Sequence, residues 1–175
     1  MRNDNDNWDM FDIGGPLVTA SGITIQSRAV ARQTVISGAG VLRAFEKSCG
    51  PAIGWPDVAQ GASYAVALRR DRVLLVNGPA LQEGWDDTTG HAVSDMTGGY
   101  AVIELSGVGV QDVLKRGAEI NPDLPSRSAA RRFGELGVIL YHFENANCVR
   151  LHVNVAQQHA AWLMLQSYAD QMFGP

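Results

Sequence analysis

Residues 105–117 read LSGVGVQDVLKRG, a strand end, a glycine-spaced turn and a short helix. A dinucleotide-binding loop needs G-x-G-x-x-G, its third glycine letting the helix pack closely on the strand. Gly107 and Gly109 supply the first two, but Asp112 holds the third position, where its charge opposes a pyrophosphate. No Gly-Lys-Ser/Thr follows, as a Walker loop requires. A sister motif lies upstream. ISGAGVLRAF (36–45) and LSGVGVQDVL (105–114) share Ser, Gly, Gly and Val at a displacement of 69, and Arg43 takes the third glycine's place there. A pattern found twice in equivalent places serves the turn into each helix, so these glycines read as backbone geometry.

A second pair follows in the same order. VNGPALQEGW (76–85) and VNVAQQHAAW (153–162) share Val, Asn and Trp at a displacement of 77. The change from 69 to 77 predicts an insertion of eight residues in the second half. Its natural place is NPDLPSRSAARRF (121–133), rich in Pro and Ser and tolerant of length.

Each half then reads strand, helix, strand, strand, helix. In the second, YAVIEL (100–105) is the leading strand and GVQDVLKR (109–116) the helix, with Val110, Val113 and Leu114 on one face and Gly117 as its C-cap. GVILYHF (137–143) and CVRLHVNV (148–155) form a hairpin. The second strand alternates, Val149, Leu151, Val153 and Val155 on a buried face, Arg150, His152 and Asn154 on an outward one. The closing helix, 156–173, buries Trp162, Leu165, Ala169 and Met172. In the first half, VARQTVIS (30–37) is the strand and VLRAFEKSC (41–49) a helix burying Val41, Leu42, Phe45 and Cys49. YAVALRRDRVLLVN (64–77) is a hairpin and PALQEGW (79–85) a stub of helix. The expected fold is α+β, with two pseudo-repeated halves of about 16–90 and 91–175 in one domain, 16–175.

Composition narrows the function. With 46% hydrophobic residues in 175, a core is readily buried. A net charge of -4 with only 14 Lys and Arg argues against nucleic acid, whose binding needs a basic face. No apolar run approaches the ~20 residues of a membrane span. Two distant cysteines, Cys49 and Cys148, and no signal peptide set a reduced cytoplasmic location as the expectation. Arg127, Arg131 and Arg132 cluster in PSRSAARRF and read as a solvated or partner-facing loop in preference to a phosphate site. Residues 1–15 form an acidic arm, with Asp4, Asp6, Asp9 and Asp12 among asparagines. Such a segment is expected to stay flexible, or to dock Trp8 and Phe11 on a partner.

No complete active site is legible. His142 and His152 on neighbouring strands, with His159 beyond them, suggest a metal site only weakly, because no helical i, i+4 pair or backing carboxylate accompanies them. His91 reads as an exposed loop residue and Cys49 as core. Asp86 and Asp87 are adjacent and diverge on any regular element, which counts against acid–base work by a carboxylate pair.

SDMTGGYAVIELSGVGVQDVLKRGAEINPDLP (94–125) resembles the signature of the gamma subunit of heterotetrameric sarcosine oxidase. RVLLVNGPALQEGW (72–85) and RRFGELGVILYHFENANCVRLHVNVAQQHAAWLMLQSYA (131–169) extend the likeness. The sequence departs at 118–121, Ala-Glu-Ile-Asn, where the family usually carries Cys-Pro-Leu-Asp. The resemblance implies a fold like the folate-binding domain of aminomethyltransferase and a subunit without catalytic, cofactor or metal residues of its own. It also implies three partners: a large flavin- and folate-binding alpha subunit, a flavoprotein beta subunit and a small zinc-binding delta subunit. FAD, FMN, NAD, tetrahydrofolate and zinc would reside in those partners, and the complex would carry out oxidative N-demethylation.

Two other readings stand beside this one. A free-standing folate-binding, one-carbon transfer module needs a carboxylate in a central cavity, with Asp95 and Glu104 the nearest candidates, although Glu104 is expected to face outward or toward a partner. An unrelated interaction scaffold could reuse the same fold.

Overall fold

A computed structural model describes residues 15–19, 22–118 and 124–171. Trp8, Phe11, the rest of the arm before Gly15, and Met172 lie outside the described residues. The strands are β1 (Leu17–Val18), β2 (Thr24–Arg28), β3 (Gln33–Gly38), β4 (Val58–Ala59), β5 (Tyr64–Arg69) and β6 (Arg72–Val76). They continue as β7 (Gly84–Asp86), β8 (His91–Asp95), β9 (Tyr100–Ser106), β10 (Ala130–Phe133), β11 (Leu136–Phe143) and β12 (Asn145–Asn154). The helices are α1 (Val41–Ala44), α2 (Glu46–Cys49), α3 (Val110–Gly117) and α4 (Gln158–Asp170).

Two sheets form, ordered β1-β2-β9-β12-β11-β10 and β5-β6-β3-β8-β7. All these pairings are antiparallel, while β4 adds to β11 in parallel. The inner faces meet: Tyr64, Val66, Leu74 and Val76 of the second sheet pack with Ile139, Tyr141 and Phe143 of the first. α3 and α4 cover the first sheet's outer face, where Val113, Leu114, Trp162 and Leu165 meet Ile103, Leu140 and Leu151. α1 and α2 cover the second through Val41 and Cys49 against Ile36, Val73 and Leu75. The layers therefore run helix, sheet, sheet, helix. Strands buried on both faces explain why YAVAL and GVILYHF are apolar without alternation.

The two sheets share an inner order, β2-β9-β12-β11 in one and β8-β3-β6-β5 in the other. β2 precedes β3 in the chain yet pairs with β9, and β8 precedes β9 yet pairs with β3. β2 thus joins the sheet of β9, β11 and β12, and β8 the sheet of β3, β5 and β6. The glycine turns correspond as well. Gly38 N–H donates to Asp71 O at 2.8 Å in the β5–β6 turn, and Gly107 N–H to Asn147 O at 3.0 Å near the start of β12. Both have positive φ, +155° and +131°, and a Cβ on either would fall 2.6 Å from a backbone oxygen, of Gly90 or Gly22.

Three expectations are corrected. PALQEGW is no helix: it runs irregularly into β7, where Trp85 pairs with Ala92. A seven-residue stub cannot meet the cost of helix nucleation against sheet pairing. The helix over 41–49 breaks at Phe45 into two short turns. Gly117 is the last residue of α3, with Ala118 as the cap, and its missing side chain makes room for Phe133, whose Cζ would lie 2.3 Å from a Cβ there.

Candidate functional site

At His152 the polar face of β12 does not meet water, although Asn154 at the strand's end is exposed. The second sheet covers His152, which is 0% exposed. A path of hydrogen bonds crosses the gap between the sheets from this face. Arg150 Nη1 donates to the Tyr64 hydroxyl at 2.9 Å, and the Tyr64 and Tyr141 hydroxyls lie 2.9 Å apart. The Tyr141 hydroxyl lies 2.6 Å from His152 Nε2, and His152 Nδ1 lies 2.5 Å from Gln33 Oε1. Gln33 Nε2 donates to Tyr100 O at 2.8 Å.

The two ends of this path set every proton. Gln33 spends its NH2 on a carbonyl, so its oxygen faces the ring and His152 carries its proton on Nδ1. Nε2 accepts from Tyr141, whose oxygen accepts from Tyr64, whose oxygen accepts from Arg150, a group that can only donate. All the donors run one way. Burial, reinforced by the Arg150 cation, lowers the His152 pKa to about 3, so the ring is neutral. Burial also pushes the Tyr141 hydroxyl well above the ordinary tyrosine value, which keeps it protonated.

Arg150 also anchors a buried carboxylate. Its Nε donates to Glu104 Oε2 at 2.9 Å, while Glu104 Oε1 accepts from Arg28 Nη2 at 2.9 Å and Gln26 Nε2 at 3.0 Å. Glu104, expected to face outward, is 4% exposed. Burial raises its pKa, but hydrogen bonds from Arg28 and Arg150 outweigh this and hold it below the ordinary value. The Arg150 guanidinium carbon lies 3.3 Å from the Phe143 ring centroid, a cation–π contact that helps replace lost water. The network cross-links the sheets. Tyr141, His152 and Glu104 are buried with their polar atoms engaged.

The other sequence candidates scatter. His142 pairs with Val149 and stacks on Trp55 at 4.5 Å, while His152 pairs with Ile139 and faces the inter-sheet gap. Neighbouring positions on a strand point to opposite faces, so the ten-residue spacing across this hairpin did not bring the two rings together. Among the described residues, no group of three or more His, Cys, Asp or Glu gathers as a metal site would need. His91, expected in an exposed loop, is buried on β8 with Nε2 3.0 Å from Ala39 O. Cys49 and Cys148 are both free and buried, and burial pushes the Cys148 thiol up to about 11. Asp86 accepts from Thr89 Oγ1 and Thr88 N, Asp87 from Trp85 Nε1, and Asp95 from Thr97 N. Arg127 and Arg132 are exposed, Arg132 pairing with Glu135, and Arg131 is half-buried. No helix among the described residues is long and apolar enough to cross a membrane.

Two larger clefts open on the surface. One, of about 640 Å³, has Trp85 on its wall beside Phe45, Leu81, Glu83 and Asp87. The other, of about 690 Å³, lies between the β5–β6 turn and Arg127. Sequence reasoning missed the network residues Gln33, Tyr64 and Tyr141. The available signal was a tyrosine inside each of two apolar strands, since a buried hydroxyl needs a partner.

No family model matches the sequence. No curated protein matches it either. Among solved structures, a chain of heterotetrameric sarcosine oxidase from Corynebacterium sp. U-96, in complex with pyrrole 2-carboxylate, superposes with a TM-score of 0.68. The match covers 89% of this chain and 87% of that one at 14% identity. Clostridium acetobutylicum aspartate kinase matches at a TM-score of 0.40 and 12% identity, over 92% of this chain and 37% of that one, too low to carry an argument. The likeness to the sarcosine oxidase chain is one of fold, extending over nearly the whole of both chains.

Proposed function

We propose that this chain is a non-catalytic, gamma-type subunit of a heterotetrameric, flavin-dependent oxidase or demethylase acting on a secondary N-methyl amine such as sarcosine. The observation that carries the reading is the fold likeness to a sarcosine oxidase chain over 89% of one chain and 87% of the other. The resemblance of residues 72–169 to the gamma-subunit signature agrees with this reading. The shared strand order of the two sheets supports a duplicated domain of the aminomethyltransferase folate-binding type. In this role the buried network fastens the two sheets into a firm block on which cytoplasmic partners assemble. The flavins, NAD, tetrahydrofolate and zinc belong to the alpha, beta and delta partners. Held there, the flavins would supply the two-electron oxidation of the N-methyl amine to an imine, whose hydrolysis gives formaldehyde and the free amine. Trp8 and Phe11, with the exposed Arg127 and Arg132 and the neighbouring Arg131, are the proposed partner contacts.

A free-standing folate-binding module would need an available carboxylate. Glu104 has both oxygens engaged by arginines, and Asp95 lies exposed with Oδ1 bonded to Thr97 N. Neither is a good candidate. The test is purification of the tagged chain from its native cells, with an absorbance spectrum of the eluate. A yellow complex holding a large flavoprotein is expected. A colourless monomer whose melting temperature rises with tetrahydrofolate would overturn the subunit reading and favour the module.

A further inference from the structure

The β5–β6 turn carries Arg69, Arg70, Asp71 and Arg72. A bulge between Ala67 and Arg69 sets Arg69 directly opposite Arg72. Like charges so paired destabilise a sheet. The carboxylate that offsets them is Asp71, whose Oδ1 lies 3.8 Å from Arg69 Nε in an exposed pair. Arg72 is two residues from Leu74, which packs into the inter-sheet core, and its Nε donates to Ser37 Oγ at 3.0 Å. Cross-strand partners share a face, so Arg69 and Arg72 both stand on the side that looks toward the first sheet.

There they line a cleft of about 260 Å³ at the end of the inter-sheet gap, together with Arg131, Tyr100, Ile139 and His152. Arg131 has lost part of its hydration, which lowers its pKa, and its hydrogen bond runs from Nη1 to Ala130 O at 2.9 Å. Among the described residues no carboxylate pairs with Arg131. A partly buried cation without a counter-charge is costly, and a guanidinium readily takes phosphate or carboxylate oxygens in a bidentate fork. The positive charge is local, because the chain as a whole carries -4. The inner wall is neutral and already formed: His152 is held at Nδ1 and Nε2 by Gln33 and Tyr141.

We propose that this cleft binds the oxyanion of a small ligand, a phosphate or carboxylate group, between Arg69, Arg72 and Arg131. At about 260 Å³ it falls below the roughly 300–1,000 Å³ of drug-sized sites, which favours a small acid or phosphate ester over a nucleotide. The inference goes beyond the subunit reading, since it concerns a small molecule held by this chain, and it assigns Arg131 to that ligand while leaving Arg127 and Arg132 for a partner.

The test is thermal unfolding of the full chain in phosphate and in sodium chloride of equal ionic strength. Phosphate is expected to raise the melting temperature by at least about 2 °C over the chloride control, as a ligand that binds only the folded state does. Arg72→Met and Arg131→Met should lose that rise, while Arg70→Met, outside this cleft, should keep it. An equal rise in chloride, or an undiminished rise in both cleft variants, would overturn the proposal. If the variants do not fold, broadening of the 31P resonance of phosphate by the wild-type chain, reversed by malonate, decides in its place. No broadening refutes the site. A poly-aspartate peptide that raises the melting temperature where phosphate and malonate do not would refute the small-ligand assignment and point to a protein partner.

Discussion

The Tyr141 hydroxyl lies 2.6 Å from His152 Nε2, and this contact completes a path of hydrogen bonds from Glu104 in one sheet to Gln33 in the other. Arg150 and Tyr64 carry the path between them. Polar groups withdrawn this far from water stabilise a fold only when all are bonded, so removing one member costs more than its own bond.

Tyr141→Phe leaves His152 Nε2 without a donor and the Tyr64 hydroxyl without its acceptor. The variant should lose about 1–3 kcal/mol of stability. Urea unfolding of Tyr141→Phe, His152→Leu and the double variant should give a coupling above about 0.5 kcal/mol. Additive losses would show that the path does not act as a unit.

Stability should fall as the medium becomes acidic. His152 has an ordinary value of 6.5 and a folded value of about 3, so between these the unfolded chain binds a proton that the folded chain does not. The stabilisation is therefore complete above about 6.5 and declines by up to about 1.4 kcal/mol per pH unit below it. His142, lowered by burial, acts with the same sign. Glu104, also lowered, adds its loss as the pH falls through its folded value. Urea midpoints from pH 7.5 to 5 should show the decline, and His152→Gln should flatten it. A wild-type midpoint independent of pH over this range would refute the assignment.

Glu104→Leu strands Arg150, whose side chain is only 13% exposed, and should cost about 3–5 kcal/mol. Glu104→Leu with Arg150→Met should recover much of that loss, because a buried pair replaced by apolar groups of similar size is often close to neutral. Denaturant midpoints of the two variants decide. No recovery would mean that Arg150 contributes chiefly through Phe143 and Tyr64.

Gly107→Ala should cost more than about 2 kcal/mol, because the new Cβ meets Gly22 O at 2.6 Å on a backbone with φ of +131°. Gly40→Ala also has positive φ, +73°, but nothing within 4 Å, and should cost only about 1–2 kcal/mol. Equal losses would remove the close approach as the reason for the glycine at 107.

The long hairpin of β11 and β12, the leading strand β9, and the helices α3 and α4 were legible because their periodicity is local and their apolar residues are many. β2 and β8 were not. TIQSR and HAVSD hold few apolar residues and become strands by pairing with β9 and β3. His152, Arg150 and Glu104 were visible as polar positions on alternating strands, yet were assigned to the wet side. Alternation separates two faces without saying which one meets solvent.

The sequence by itself determined that this is an α+β chain with two related glycine turns, and which residues share a face of each strand. Those properties follow from backbone geometry and from neighbours a few positions apart. Only the tertiary structure decided that β2 pairs with β9 and β8 with β3, and that His152 and Arg150 on the polar face of β12 meet β3 and β5. Backbone hydrogen bonds are nearly alike for any two strands, so the choice of partner rests on distant packing. That packing brought Gln33 to His152, 119 residues apart, and Tyr64 to Tyr141, 77 apart.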